Sequence, residues 1–228
     1  LSATDLITRT RWETEVNLKS DKAYFTTKTT WHNPTPLTQP YYHWINGGFQ
    51  ADGDLEFCFP GSHWIGHDGL ASNWPFNKDG RNLAFYKQNN FGGDKSYHVV
   101  DGINDFYAAY WHDLNFGSVH FSPYNEKLGR KIFLWSQAKS GGIWKDLLTD
   151  NDGQYVELQS GRLFNQEASS STATPFKHFG FEPYAVDFFT EYWFPIKNTK
   201  GVKKANQTGA LNVEEDSDII KLFFCPAE

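Results

Sequence analysis

The sequence predicts an all-β protein, an antiparallel β-sandwich with at most short helices. Trp12, Thr14, Val16 and Leu18 alternate with Arg11, Glu13, Glu15 and Asn17. Phe25, Thr27, Thr29 and Trp31 alternate again beyond the turn Lys19-Ser20-Asp21-Lys22, so the chain opens on a β-hairpin rich in β-branched and aromatic residues. Asp-Gly pairs then recur at 52–53, 68–69, 79–80, 101–102 and 152–153, and Asp-Gly is a strong tight-turn signal between strands.

Between Trp31 and Phe49 lie Pro34, Pro36 and Pro40, which fix φ and remove backbone donors, so this stretch is neither an ordinary helix nor a central strand. It presents Tyr41, Tyr42, His43, Trp44 and Asn46 on a stiff backbone ending at Gly47-Gly48. Short strands are expected at 54–59, 83–88 and 95–100, while 105–112 fits either a strand or one helical turn. Residues 117–122 and 130–136 read as strands around a turn at Pro123-Tyr124-Asn125. Ile143, Trp144, Leu147 and Leu148 share one face of a short helix with Ser140 near its start. In Tyr155-Val156-Glu157-Leu158-Gln159, Val156 and Leu158 share one face and Tyr155, Glu157 and Gln159 the other. Ser169 to Thr174 reads as a surface loop. Phe189, Glu191 and Trp193 share a face of a strand over 187–196, and 219–225 closes the fold. No repeat or linker divides the chain, so one β-sandwich domain over 1–228 is expected.

A net charge of −6 with interspersed charges argues against nucleic-acid binding. No apolar run is long enough to span a membrane. The opening Leu1-Ser2-Ala3-Thr4 carries no signal-peptide pattern and reads as a processed or trimmed segment. Cys58 and Cys225 sit in apolar strand-like contexts and fit either buried thiols or one long-range disulfide. The 20 Phe, 11 Tyr and 9 Trp exceed what a core needs, and rings with polar tips suit a half-wet ligand such as a sugar.

Glu157 and Glu191 lie among aromatic neighbours, where a carboxylate is poorly solvated and its pKa tends upward unless a cation or donor answers it; either could act as a general base. Arg162 is the candidate partner of Glu157. His43 is the best-placed histidine for proton transfer, followed by His112 between Trp111 and Asp113. His63 and His67 have i, i+4 spacing, but Pro60-Gly61 and Gly66 oppose the helix that a zinc motif needs. Asp150-Asn151-Asp152-Gly153 fails the calcium-loop pattern and reads as a turn. No metal site and no cofactor are expected.

Three stretches resemble a bacterial family of unknown function, common in gut Bacteroidetes and often followed by tetratricopeptide repeats: Tyr24 to Leu37 with Pro40-Tyr41-Tyr42-His43-Trp44, Asp152 to Gln166, and Thr190-Glu191-Tyr192-Trp193-Phe194-Pro195. That family is similar to the galactose mutarotase (aldose 1-epimerase) superfamily, a β-supersandwich. The resemblance implies a carbohydrate bound in the concave face of the sheet. It implies His43 as general acid, with Glu157 or Glu191 as base. It further implies adjoining domains in a longer protein and a periplasmic, cell-surface or secreted location, with the cytoplasm as the alternative.

The leading expectation is therefore a carbohydrate-recognising domain. Its groove would unite His43, Glu157 and Glu191 with Tyr42, Trp44, Asn46, Trp111, His112, Tyr155, Arg162 and Trp193. The alternatives are a sugar epimerase or glycosidase using a His/Glu pair, and a protein-interaction module.

Overall fold

The computed structural model describes residues 1–135, 137–163, 166 and 179–227. The loop expected at Ser169 to Thr174 lies outside them. In chain order the strands are β1 (Ser2–Thr4), β2 (Arg11–Leu18), β3 (Phe25–His32), β4 (Gln39–Tyr41), β5 (Trp44–Ala51), β6 (Leu55–Cys58), β7 (His63–Ile65), β8 (Ala71–Asn73) and β9 (Lys95–Val100). They continue as β10 (Phe106–Trp111), β11 (Phe116–Phe121), β12 (Gly129–Leu134), β13 (Gln154–Gly161), β14 (Phe179–Phe181), β15 (Val186–Lys197), β16 (Lys204–Asn206), β17 (Gly209–Asp216) and β18 (Ile219–Pro226). The one α-helix among the described residues, α1 (Gly142–Leu148), joins β12 to β13.

Two large antiparallel sheets face each other. One has seven strands in the order β1-β2-β3-β15-β11-β10-β6, the other six in the order β5-β13-β12-β9-β7-β8. Their inner faces share a core: Leu55, Phe57, Tyr107, Ala109 and Trp193 meet Tyr97, Val99, Ile132, Leu134, Val156 and Leu158. The outer face of the seven-stranded sheet is apolar as well, with Ala108, Tyr110, Val119, Phe194 and Ile196 packed against Val202, Ala210 and Ala227 around the β16-β17-β18 sheet. This third layer explains β10. Its sequence Phe-Tyr-Ala-Ala-Tyr-Trp is apolar on both faces because both are covered, and it pairs with β11 and β6, so the stretch expected as strand or helical turn forms an interior strand over Phe106–Trp111.

The glycine of all five Asp-Gly pairs takes positive φ, from +58° at Gly53 to +98° at Gly153. Three expectations are corrected. Residues 83–88 end in a 3-10 turn at Tyr86–Gln88, not in a strand. The segment after Pro40 does not stop at Gly47-Gly48: β5 runs through both, because β13 supplies a full ladder of partners. A side chain at Gly47 would meet the Phe49 ring at 2.9 Å and Trp193 at 3.2 Å. Helix α1 forms where expected, but Ile143, Leu147 and Leu148 stay exposed, and only Trp144 finds a partner, stacking on Trp135 at 5.7 Å. Cys58 and Cys225 are both free thiols; burial pushes the Cys58 thiol well up.

Candidate functional site

Period-two alternation divides β13 cleanly. Val156, Leu158 and Ser160 point to the core, while Tyr155, Glu157 and Gln159 point to the outer face of the six-stranded sheet. Register then decides their neighbours. Gln159 lies opposite Asn46 on β5 and Lys131 on β12, and Lys131 lies opposite His98 on β9. One rung of the sheet thus reads Asn46, Gln159, Lys131, His98. The next reads Gly48, Glu157, Phe133, Ser96. On the other side the rung is Trp44, Gly161, Gly129, where two glycines leave room for the Trp44 indole.

That room is used. A Cβ on Gly161 would fall 2.3 Å from Trp44 Cε2, and one on Gly129 would fall 2.5 Å from Cη2. The indole lies over the two glycines with its edge toward His98, ring centres 5.8 Å apart. Gly161→Ala must lift the indole or bend β13, a cost of about 1–3 kcal/mol. Urea unfolding is expected to show it as a lower midpoint at unchanged slope.

The polar row is tightly bonded. Glu157 Oε2 accepts from Asn46 Nδ2 at 2.9 Å and from Gln159 Nε2 at 2.8 Å. His98 donates from Nδ1 to the Ile65 carbonyl at 2.8 Å and accepts at Nε2 from the Gln166 backbone N–H at 2.9 Å, which fixes a neutral tautomer. Burial drives the His98 pKa down to about 3. Lys131 donates to Gln166 Oε1, and burial brings its pKa down to about 8, against the opposing pull of Glu157. His67 meets Ser96 Oγ at 2.8 Å, and burial lowers its pKa as well. Two buried polar atoms of this face have no partner, the acceptor Gln159 Oε1 and the donor Trp44 Nε1. No cluster of three or more His, Cys, Asp or Glu among the described residues could hold a metal ion.

The single hollow uniting His43, Glu157 and Glu191 is not what the structure shows. Glu191 and Trp193 face the core from β15, on the opposite side of the six-stranded sheet from Glu157. Glu191 is fully buried; its Oε1 accepts from His120 Nε2 at 2.9 Å and Ser160 Oγ at 2.6 Å, with Lys127 Nζ at 3.5 Å. An upward shift is the expectation for a carboxylate among aromatics that no cation or donor answers, and here both answer it. Burial does raise the Glu191 pKa, but the His120 hydrogen bond and the Lys127 charge prevail and bring it to about 2. His43 belongs to this inner compartment, its ring 4.6 Å from Phe189, and burial and the Lys127 charge lower its pKa to about 3.

Arg162 pairs with Asp187, not Glu157. Its Nε and Nη2 reach the two carboxylate oxygens at 2.8 and 3.0 Å, because Asp187 shares the inner side with Arg162 while Glu157 points outward. Tyr41 donates to the same carboxylate at 2.8 Å. His112 meets Glu56 at 2.7 Å and Trp111 donates to the Gln50 carbonyl at 3.2 Å, both away from the polar row; Tyr42 is exposed. Of the expected residues the outer face therefore unites Trp44, Asn46, Tyr155 and Glu157. Sequence reasoning missed Lys131 and His98. Alternation places Lys131 and Phe133 opposite Ile132 and Leu134, but only register brings them to Glu157.

The family described as Domain of unknown function (DUF5107) matches residues 1–196. The chain belongs to that family. Among solved structures, the DUF5107 chain is similar to a TPR-domain containing protein from Parabacteroides distasonis, with TM-score 0.65 and 18% identity over 86% of this chain and 34% of that one. It is similar to a galactose mutarotase-like protein from Lactobacillus casei, with TM-score 0.57 and 9% identity over 85% of this chain and 68% of that one. A galactose mutarotase related enzyme from Lactobacillus acidophilus matches with TM-score 0.55 and 12% identity over 89% and 68% of the two chains. At these identities the likeness establishes the fold, an antiparallel β-sandwich of galactose-mutarotase-like type. The DUF5107 chain spans only a third of the TPR-containing protein.

Proposed function

We propose that this DUF5107 chain is a carbohydrate-recognition domain whose saccharide lies on the outer face of the six-stranded sheet, along Asn46, Gln159, Lys131 and His98. One observation carries the reading. A row of donors and acceptors is set between the Trp44 indole and the Phe133 ring, and it keeps an acceptor, Gln159 Oε1, and a donor, Trp44 Nε1, unpartnered. A saccharide offers hydroxyls that both donate and accept, plus apolar C–H faces that rest on aromatic rings. The mutarotase-like fold supports the same reading. The likeness to the TPR-containing protein supports a place beside other domains in a longer chain.

Glu157 holds the row in order. By taking both amide N–H groups on one oxygen, it fixes the orientation of the Gln159 amide and keeps the Gln159 carbonyl oxygen from bonding Glu157. Lys131, almost fully buried and bonded to the Gln166 side chain, supplies a charge-assisted donor. Screening the wild type on a glycan array, then titrating the best saccharide calorimetrically, tests the reading. Lys131→Met is expected to weaken binding at least about tenfold, the scale of one hydrogen bond to a charged donor. Unchanged affinity in that variant, or no glycan bound by the wild type, would refute it.

A further inference from the structure

The outer face that carries the polar row continues past it toward α1. Ile132, Leu134, Val156 and Leu158 point to the core, so alternation turns Phe133 and Tyr155 outward with Lys131 and Glu157. Lys131 Nζ lies 5.1 Å from the centre of the Phe133 ring, Phe133 meets Trp135 edge to face at 5.8 Å, and Trp135 stacks on Trp144 of α1. Phe133, Trp135, Trp144 and Tyr155 are all half-buried, so each keeps surface open to solvent. Tyr155 neighbours both Trp135 and Glu157, and Gln50 on β5 lies opposite it.

This run of rings ends beside a cleft of about 300 Å³, the size of a small ligand pocket, between β5 and the end of α1. Residues that include Gly48, Gln50, Leu148, Asp152 and Tyr155 line it. Gly48 keeps the way into it clear, since a Cβ there would meet nothing within 4 Å. Gln50 and Asp152 are exposed, and Gln50 Nε2 is oriented by its hydrogen bond to the Asp152 carbonyl at 3.3 Å. An amide and a carboxylate beside an accessible aromatic ring match the hydroxyls and the apolar C–H face of a sugar. Asn46 in the polar row and Gln50 at the cleft are four residues apart on β5, about 13 Å of strand. One sugar ring cannot reach across that distance; a short chain of them can.

We infer that the saccharide of the outer face is an oligosaccharide, a chain of about three sugar units running along β5 and β13 from the polar row to the cleft beside Tyr155. The first unit lies on the polar row. The middle unit crosses Gly48, Glu157 and Phe133, and the last packs on Tyr155 and Leu148 with Gln50 and Asp152 at its hydroxyls. The inference rests on the saccharide reading above and adds the class of ligand to it.

Calorimetric titration of the whole chain with the tightest trisaccharide of the glycan array, and with each monosaccharide that composes it, tests the extension. The trisaccharide is expected to bind at least about tenfold more tightly than any of its units alone. Gly48→Leu places a side chain in the path at a position with room for it, and Tyr155→Ala removes a wall of the cleft. Each is expected to lower trisaccharide affinity at least about tenfold and monosaccharide affinity far less. Near-ultraviolet circular dichroism checks that both variants are folded. Array binding confined to monosaccharides, equal affinities for the trisaccharide and its units, or variants that weaken both alike would overturn the chain-length inference. In any of those cases a Lys131→Met variant that still weakens binding leaves the outer-face reading standing, whereas a wild type that binds no glycan ends both.

Discussion

Glu191→Ala is expected to cost about 3–5 kcal/mol of stability, the scale of removing one partner from a buried ion pair. The carboxylate joins the two large sheets. His120 reaches it from the seven-stranded sheet, Ser160 from the six-stranded sheet, and Lys127 from the connection between β11 and β12. Removing it strands the Lys127 ammonium, which is fully buried and otherwise rests 3.9 Å above the Phe189 ring. Urea unfolding measures the loss. Glu191→Leu combined with Lys127→Met is expected to recover most of it, since an apolar replacement leaves no uncompensated charge; only the His120 and Ser160 donors then lack an acceptor.

The same cluster sets a pH dependence. The Glu191 pKa falls from 4.5 to about 2 on folding, so its contribution is fully present above pH 4.5 and is lost as the pH falls toward 2. Lys127 is lowered as well, here because burial disfavours its charged form. Burial lowers its pKa from 10.5 to about 8, so the folded state releases the proton first and stability rises with pH between those values. In Lys127→Met that part of the alkaline rise should vanish, while a part from Lys131, lowered likewise by burial, should persist.

Glu157→Gln is expected to reduce saccharide affinity by about tenfold or more and to change stability by less than about 1 kcal/mol. The carboxylate is half-buried on an outer sheet face, and its work is to accept the Asn46 and Gln159 amides. A neutral amide in its place offers one acceptor and a competing donor, so the Gln159 side chain can rotate and offer N–H where the ligand needs an acceptor. Calorimetric titration of both proteins with the same saccharide, alongside their unfolding curves, separates the two effects.

Much of the fold was legible because alternation and turn chemistry are local. The hairpin of β2 and β3, the strands β9, β11, β12, β13 and β15 and the Asp-Gly turns follow directly from residue order. The same alternation correctly put Glu157 with Gln159 and Glu191 with Trp193 on shared faces. It does not reveal which sheet each strand joins or which face is sealed by a second layer, since those depend on pairing between distant segments. Hence Glu191, read as a groove carboxylate, is fully enclosed in the core, and Arg162 binds Asp187 from a strand that sequence spacing could not bring near. Likewise β5 looked like the end of a proline segment, because its glycines signal a break locally; only β13 beside it and the Trp193 ring across from it explain them.

The most direct test is to map the bound saccharide by amide chemical-shift changes in isotopically labelled protein, using the best ligand from the array. The account predicts the largest shifts on β5, β9, β12 and β13 at Asn46, His98, Lys131 and Glu157, together with a shift of the Trp44 indole N–H. Shifts confined to the inner compartment around His43 and Glu191, or to the β17–β18 hairpin, would contradict it.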